Sequence, residues 1–503
     1  MRQLAIFLLP FALAFAQKFR ADDPLEYELK PIINSEPARR QLSDYYDAVR
    51  HTLSTPGELN RRRKFPIAAK AVNTLGEPLQ GAWWMKRHYY RPMTVEELVA
   101  GPGDLHPPSM EGQWTVIGAK NEGITPGFIM VDSKKDSYFV KFDPLSNPEM
   151  ATGADHIANR LVYALGYHVP ENYLIKFRSS ILAIGENASI ADRLGHPHRM
   201  SRRDLEEMLR KVPRRPDGTY RATASRAIPG RGIGPYRYYG VRSDDPNDYI
   251  PHEHRRDLRG LALIAAWIDH DDSRAINTYD AWAEGYIRHY ILDLGSSLGS
   301  GTQRANSPRS GGEYLFGWKQ SLVQLLSLGF AVPPWAIASF PDLPSIGRFE
   351  SKQFDPERWV PEYPNPAFLN RLPDDEFWAA KQIIAFTDTQ IEAIVQSAEY
   401  SDLAAERWLT RCLIERRDKI GRAYLAKVLP IDRFSYAEGK LLFEDLSEKA
   451  GYGGVGPFEV RWLPDEAGYR TARLTASARP KQWIEVTVRL GDHPQVVGVE
   501  RRW

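Results

Sequence analysis

The chain predicts an α+β fold, in which a small antiparallel β lobe precedes a larger helical lobe, and three changes of texture carry that prediction. From Trp114, short β-rich runs alternate with glycine and charged turns. From Arg255, apolar residues recur at helical spacing, and beyond residue 430 short alternating strands return. Strands and helices segregated into blocks in this way give a two-lobed α+β core, not an alternating parallel α/β sheet.

The elements follow in order. Residues 1–16 read as a signal peptide: Met1-Arg2, an apolar run over 4–15, and the small-x-small string Ala14-Phe15-Ala16 before Gln17. That predicts export to a periplasmic, cell-envelope or extracellular site. No other stretch is long and apolar enough to span a bilayer. Residues 17–111 form a proline-punctuated N-terminal extension with a helix at 43–53 and a capping box at Thr94-x-x-Glu97. The β lobe, 112–250, carries strands at 114–117, 128–131, 137–143, 172–177 and 220–228. Its helix at 150–165 places Ile157, Leu161, Ala164 and Leu165 on one face and is closed by Gly166. A polar, basic insertion at 186–218, with a helix between Ser201 and Pro213, reads as surface elaboration.

The helical lobe, 251–430, opens with Leu258, Leu261, Leu263, Ile264, Ala265, Trp267 and Ile268, a helix with few polar positions and so buried on most sides. A helix at 318–329, a capping box at Thr387-x-x-Gln390 and a long helix at 403–428 follow. Residues 431–503 form a small β module with strands at 458–462, 469–475, 483–490 and 495–499.

With 503 residues, 43% hydrophobic and 26% charged, the chain can bury a large core in two or three domains. A single cysteine, Cys412, excludes an intrachain disulfide and a thiolate zinc site; its stripe with Leu409 and Leu413 makes it a small core residue. A net charge of +2 gives nucleic-acid binding no support, and Arg61-Arg62-Arg63-Lys64 and the basic stretch 199–215 read as solvated surface.

The chemistry concentrates in two windows. His270-Asp271-Asp272-Ser273-Arg274-Ala275-Ile276-Asn277 sets an Asp and an Asn five positions apart, and Asp293-Leu294-Gly295 follows at the end of an apolar run. Phosphoryl transfer needs such a set: a carboxylate to orient a hydroxyl, and an amide and a carboxylate to hold a metal on the phosphates. Upstream, Ser137-Tyr138-Phe139-Val140-Lys141-Phe142-Asp143 is a strand with one lysine inside it, suited to nucleotide phosphates.

In this order the elements resemble the protein-kinase-like fold, in particular its atypical HipA-like and CotH-like members and the secretory-pathway kinases. The resemblance covers about residues 112–430. It implies that Lys141 contacts the phosphates of ATP or another nucleotide, and that an acidic residue on the next helix holds Lys141. Asp155 matches that partner, and Glu149 at the helix start is the rival. Asp272 matches the catalytic Asp that orients a hydroxyl of a protein or small-molecule acceptor, while Asn277 and Asp293 match the ligands of Mg²⁺ or Mn²⁺. Gly118, Gly123 and Gly127 lie where a glycine-rich loop would cover the nucleotide. The departures are Asp155 for Glu, Asp-Leu-Gly for Asp-Phe-Gly, His-Asp-Asp for His-Arg-Asp, and a nonstandard glycine pattern.

Other motifs compete. Gly295-Ser296-Ser297-Leu298-Gly299 has the form of a nucleophile elbow, which would need His493 beside Ser297 to make a serine hydrolase. Gly230-Arg231-Gly232-Ile233-Gly234 is followed by tyrosines, not a helix start, and reads as a connection between lobes. His252-Glu253-His254 offers two metal ligands if extended, or solvated and capping residues before the buried helix. Because an exported kinase lacks an obvious ATP supply, a catalytically silent kinase-like binding or scaffold protein of the envelope is the reading from another class. Against it, clustered carboxylates repel one another, and a scaffold has no need of them.

Overall fold

The computed structural model describes residues 29–32, 36–103, 106–119, 126–192, 196–301, 303–317, 322–323, 325–327, 330, 332–466 and 468–503. The proposed signal peptide, Gly123 and most of the helix expected at 318–329 lie outside the described residues. Helices α1 (Asp44–Ser54) and α2 (Val95–Ala100) begin at side-chain caps: Ser43 accepts from the Tyr46 amide, and Thr94 with Glu97 closes a capping box.

Seven strands then build one sheet: β1 (Trp114–Ala119), β2 (Gly127–Val131), β3 (Ser137–Phe142), β4 (Asn172–Phe177), β5 (Leu182–Ala191), β6 (Pro197–Arg199) and β7 (Tyr220–Arg226), in the order β4-β7-β3-β2-β1-β5-β6. All neighbours are antiparallel except β1 and β5, so the sheet is mixed, unlike the antiparallel one the sequence suggests. Helices α3 (Met150–Ala164) and α4 (Arg202–Leu209) interrupt the strands. Alternation in β3 decides the faces: Tyr138, Val140 and Phe142 are buried, while Phe139 and Lys141 point to the other side. Their buried face packs with Trp114, Phe128, Phe177 and Ala222. The stretch 186–218 is woven into this lobe, supplying part of β5, β6 and the core residues Met200, Leu205, Leu209 and Val212.

After the short strand β8 (Arg231–Gly232) comes α5 (Arg256–Ile268), all thirteen of whose residues are buried. A hairpin, β9 (Thr278–Ala283) and β10 (Tyr286–Ile291), pairs with β8. Helices α6 (Pro366–Leu369), α7 (Pro373–Ile383), α8 (Asp388–Gln396) and α9 (Leu403–Leu425) complete the helical lobe. Its core joins Trp267, Trp378, Leu413 and Cys412 to Trp84 and Leu98 of the N-terminal extension. The extension is therefore structural, and the Trp84 indole donates to the Leu165 carbonyl at 2.8 Å. No helix among the described residues is long and apolar enough to cross a membrane.

A hairpin, β11 (Ile431–Ala437) and β12 (Lys440–Asp445), the turn of helix α10 (Leu446–Lys449), and a four-stranded antiparallel sheet, β13 (Phe458–Trp462), β14 (Tyr469–Ala476), β15 (Trp483–Arg489) and β16 (Gln495–Arg502), form the C-terminal module. It is pinned to the helical lobe through buried Asp432, which meets Lys381 at 2.7 Å, Arg501 at 3.0 Å and the Tyr89 hydroxyl at 2.9 Å. Burial opposes ionisation of Asp432, but Lys381 and Arg501 outweigh it and hold the carboxyl below its usual range.

Candidate functional site

Lys141 owes its position to strand alternation and register. It stands on the β3 face opposite the lobe core, directly across from Gly127 in the register. Its ammonium meets Asp293 Oδ1 at 2.8 Å. Burial pulls the ammonium pKa down, yet the carboxylates of Asp293 and Asp155 outweigh it and keep Lys141 charged, above its ordinary value.

Asp155 comes from α3 and is 5% exposed. Burial raises its pKa, Lys141 opposes that rise, and Thr223 Oγ1 on β7 donates to Oδ2 at 3.2 Å. Asp155 therefore acts on Lys141 electrostatically, while the direct ion pair is with Asp293. Glu149 turns elsewhere: it accepts from the Ser401 amide and hydroxyl at 2.8 and 2.9 Å and meets Arg215 at 3.7 Å. The turn after Asp293 rests on α3, since a Cβ on Gly295 would lie 3.7 Å from the Asp155 Cβ. Lys141, Asp155 and Asp293 thus share one locus.

The hairpin explains why Asn277 and Asp293, far apart in sequence, meet. Thr278 pairs with Ile291 at the open end of β9–β10, and the next pair outward is made by the Leu292 amide donating to the Asn277 carbonyl at 2.9 Å. Asp293 is one residue further, in a left-handed conformation (φ 56°) that is uncommon outside glycine. The Asn277 side chain donates Nδ2 to the Asp272 carbonyl at 2.9 Å, which ties the metal-type Asn to the loop bearing Asp272 and leaves its oxygen as the ligand-capable atom. Upstream, α5 ends on left-handed Asp269, whose carboxylate accepts from the Trp359 indole at 2.8 Å.

Four residues given no role by sequence reasoning gather around Asp272. Arg274 donates Nε to Asp272 Oδ1, meets Asp44 of α1 at 2.7 Å, and lies 3.4 Å from Glu362. Tyr363 donates its hydroxyl to Asp44 at 2.9 Å. One guanidinium thus faces three carboxylates. Burial, then the charge of Asp272, pushes the Glu362 carboxyl up to about 7, against the pull of Arg274. Arg274 lay in the quoted motif, but nothing local in the sequence points to Asp44 or Glu362.

The donor set fits a divalent cation bound with a nucleotide. Mg²⁺ takes one or two protein oxygens and fills its octahedron with water and phosphate oxygens, which Asp293 and Asn277 can supply in part. Gly118 follows a bulge in β1, and a Cβ there would come within 3.3 Å of the Ser189 carbonyl.

The competing motifs have structural roles. Ser297 is wholly buried, with its hydroxyl 3.3 Å from His270 Nδ1, whereas His493 is exposed in the β15–β16 turn. A hydroxyl with no exposure cannot attack a substrate, so the elbow reading fails. Gly230–Gly234 supplies β8, and Gly234, with φ +90°, lies so close to the Arg40 carbonyl that a Cβ would sit 1.9 Å from it. His252 is buried against Asp248 at 2.7 Å, and His254 meets Arg259 at 2.9 Å. Among the described residues, no three His, Cys, Asp or Glu side chains gather as metal ligands.

No protein-family model and no curated protein matches the chain. Solved structures similar to it include the Helicobacter pylori proinflammatory kinase CtkA, at 12% identity over 64% of this chain and 99% of that one, with a TM-score of 0.32. The Golgi casein kinase with Mn/ADP bound is similar at 10% identity over 66% and 77% of the two chains, with a TM-score of 0.30. A second Golgi casein kinase structure gives 9% identity over 80% and 96%, with a TM-score of 0.33.

Proposed function

We propose that this chain is an exported, atypical kinase-type phosphotransferase, which uses ATP or a related nucleotide with Mg²⁺ or Mn²⁺ to phosphorylate a hydroxyl on a protein or small molecule. The observation that carries this reading is the convergence of Lys141, Asp155 and Asp293 at one locus, with Asn277 tied to the Asp272 loop beside it. Lys141, kept charged by Asp293 and Asp155, would pair with the α and β phosphates, and Asn277 and Asp293 would hold a metal that, when bound, would neutralise charge on the phosphates. Asp272 accepts the proton of the acceptor hydroxyl as its oxygen bonds to the γ phosphorus. The bond to the bridging oxygen breaks, and the nucleoside diphosphate leaves with that electron pair.

A second reading, a silent kinase-like binding protein of the envelope, draws on a specific contact. Asp272 and Asp293 are each already held by a cation of the chain, Arg274 and Lys141. Thermal unfolding with nucleotide and metal separates the two. Mg²⁺–ATP at a hundredfold excess over Kd should stabilise the wild type by about 2.7 kcal/mol. Asp293→Ala should abolish that gain; Asp272→Ala should keep it and lose transfer alone. Stabilisation without transfer in the wild type would select the silent reading, and no stabilisation with Mg²⁺ or Mn²⁺ would end the nucleotide reading. Export predicts a mature N-terminus near Gln17, which N-terminal sequencing of material from outside the cytoplasm would establish.

A further inference from the structure

Helix α1 presents its faces in reverse. Asp47 and His51 are its buried residues: Tyr239 donates to Asp47 Oδ1 at 3.0 Å, and His51 packs edge-on against the Tyr239 ring at 5.1 Å. Tyr45, Val49 and Leu53 recur four apart on the opposite side, 87%, 60% and 82% exposed, with Tyr46 beside them at 62%. A surface helix ordinarily turns such a stripe to the core, and contiguous exposed apolar residues mark interaction sites. The character continues past the helix, where Leu59 and Phe65 are exposed and Arg62, Arg63 and Lys64 face solvent. The acidic residues of α1 do not offset this charge, because Asp44 and Asp47 turn inward to Arg274 and Tyr239.

The combination selects the occupant. A polyanion such as nucleic acid would pair with the basic residues but offers no place for Val49 and Leu53. A second copy would bury the stripe but supplies no shown acidic patch for Arg62, Arg63 and Lys64, so it accounts for the apolar part alone. A bilayer with anionic headgroups takes both parts, because aliphatic and tyrosine side chains settle at the headgroup–acyl boundary while Arg and Lys meet phosphates. We propose that the outward face of α1, with Arg62, Arg63, Lys64 and Phe65, is a docking surface for an anionic lipid bilayer. The proposal stands apart from the phosphotransferase reading, although Asp44 ties the same helix to the Asp272 loop through Arg274.

Co-sedimentation of the chain from Gln17, without the apolar run at 4–15, tests it. Wild type should sediment with phosphatidylcholine vesicles containing about one third phosphatidylserine and not with phosphatidylcholine alone, and the binding should weaken as salt rises from about 0.1 to 0.5 M. Tyr45→Ser/Val49→Ser/Leu53→Ser and, separately, Arg62→Glu/Arg63→Glu/Lys64→Glu should each bind at least about tenfold more weakly, with unchanged melting temperature because the altered side chains are exposed. Wild type left in the supernatant, or both variants bound as tightly as wild type, would overturn the proposal. So would self-association of the wild type, lost in the serine variant, without vesicle binding; that result would assign the face to a second copy.

Discussion

Replacing Glu362 by Gln should make the protein more stable at alkaline pH and remove part of its pH dependence. Arg274 serves Asp272 by a direct hydrogen bond and Asp44 at 2.7 Å, and reaches Glu362 only at 3.4 Å, so Glu362 is the carboxyl least compensated. Its pKa stands at about 7 against an ordinary 4.5. A raised pKa means that the native state favours the neutral acid. The resulting contribution is fully present below pH 4.5 and is lost as pH rises to about 7. Each pKa unit is worth about 1.4 kcal/mol, which makes the full difference about 3 kcal/mol. Because the side chain is 26% exposed, screening reduces this to about 1–2 kcal/mol. Urea unfolding of wild type and Glu362→Gln at half-unit pH intervals reads the difference, to which Glu362 itself contributes most and its coupled neighbours Asp271 and Asp272 the rest. The two curves should nearly meet at pH 4.5 and diverge by pH 8, with the variant more stable. Parallel curves, or a variant less stable at pH 8, would refute the three-carboxylate account of this loop.

Two further substitutions test the ion pairs. Lys141→Met leaves Asp155 and Asp293 facing each other, and should cost about 1–2 kcal/mol at pH 7, reduced by the 44% exposure of Asp293 and smaller at pH 4 as Asp155 protonates; denaturant unfolding at the two pH values reads this. Asp432→Ala leaves Lys381 with Glu77 at 2.5 Å but takes from Arg501 its carboxylate partner, and should cost about 2–3 kcal/mol, read as an earlier urea midpoint. In wild type, the depressed pKa of Asp432 makes its contribution present above the unfolded value of 3.8 and lost as pH falls below it.

Local periodicity made much of the fold legible. Val140 and Phe142 alternate with Phe139 and Lys141, which announces β3 and gives Lys141 its face, and the unbroken apolar spacing from Leu258 to Ile268 announces α5. Capping boxes at Thr94 and Thr387 lie where the sequence sets them, because a cap is satisfied within one turn. The Asp272, Asn277 and Asp293 spacing was readable for a similar reason: a single hairpin register brings the last two together.

Contacts between distant segments were decided only by tertiary structure. The sequence favoured Asp155 or Glu149 as the ion-pair partner of Lys141, yet the direct pair is with Asp293, because the turn carrying it packs on α3. The parallel pairing of β5 with β1 turned an insertion into part of a sheet, through register that no local pattern encodes. Asp44 and Glu362 reach Arg274 from far upstream and downstream in the chain, and the reversed face of α1 shows only once Asp47 and His51 are seen to be buried. By itself the sequence determined many of the strands and helices, β3, α3 and α5 among them, and which of them carry charge, while the hairpins β9–β10 and β11–β12 were not read from it. Which carboxylate meets which cation depends on packing energies among segments hundreds of residues apart, and those exist only in the folded chain.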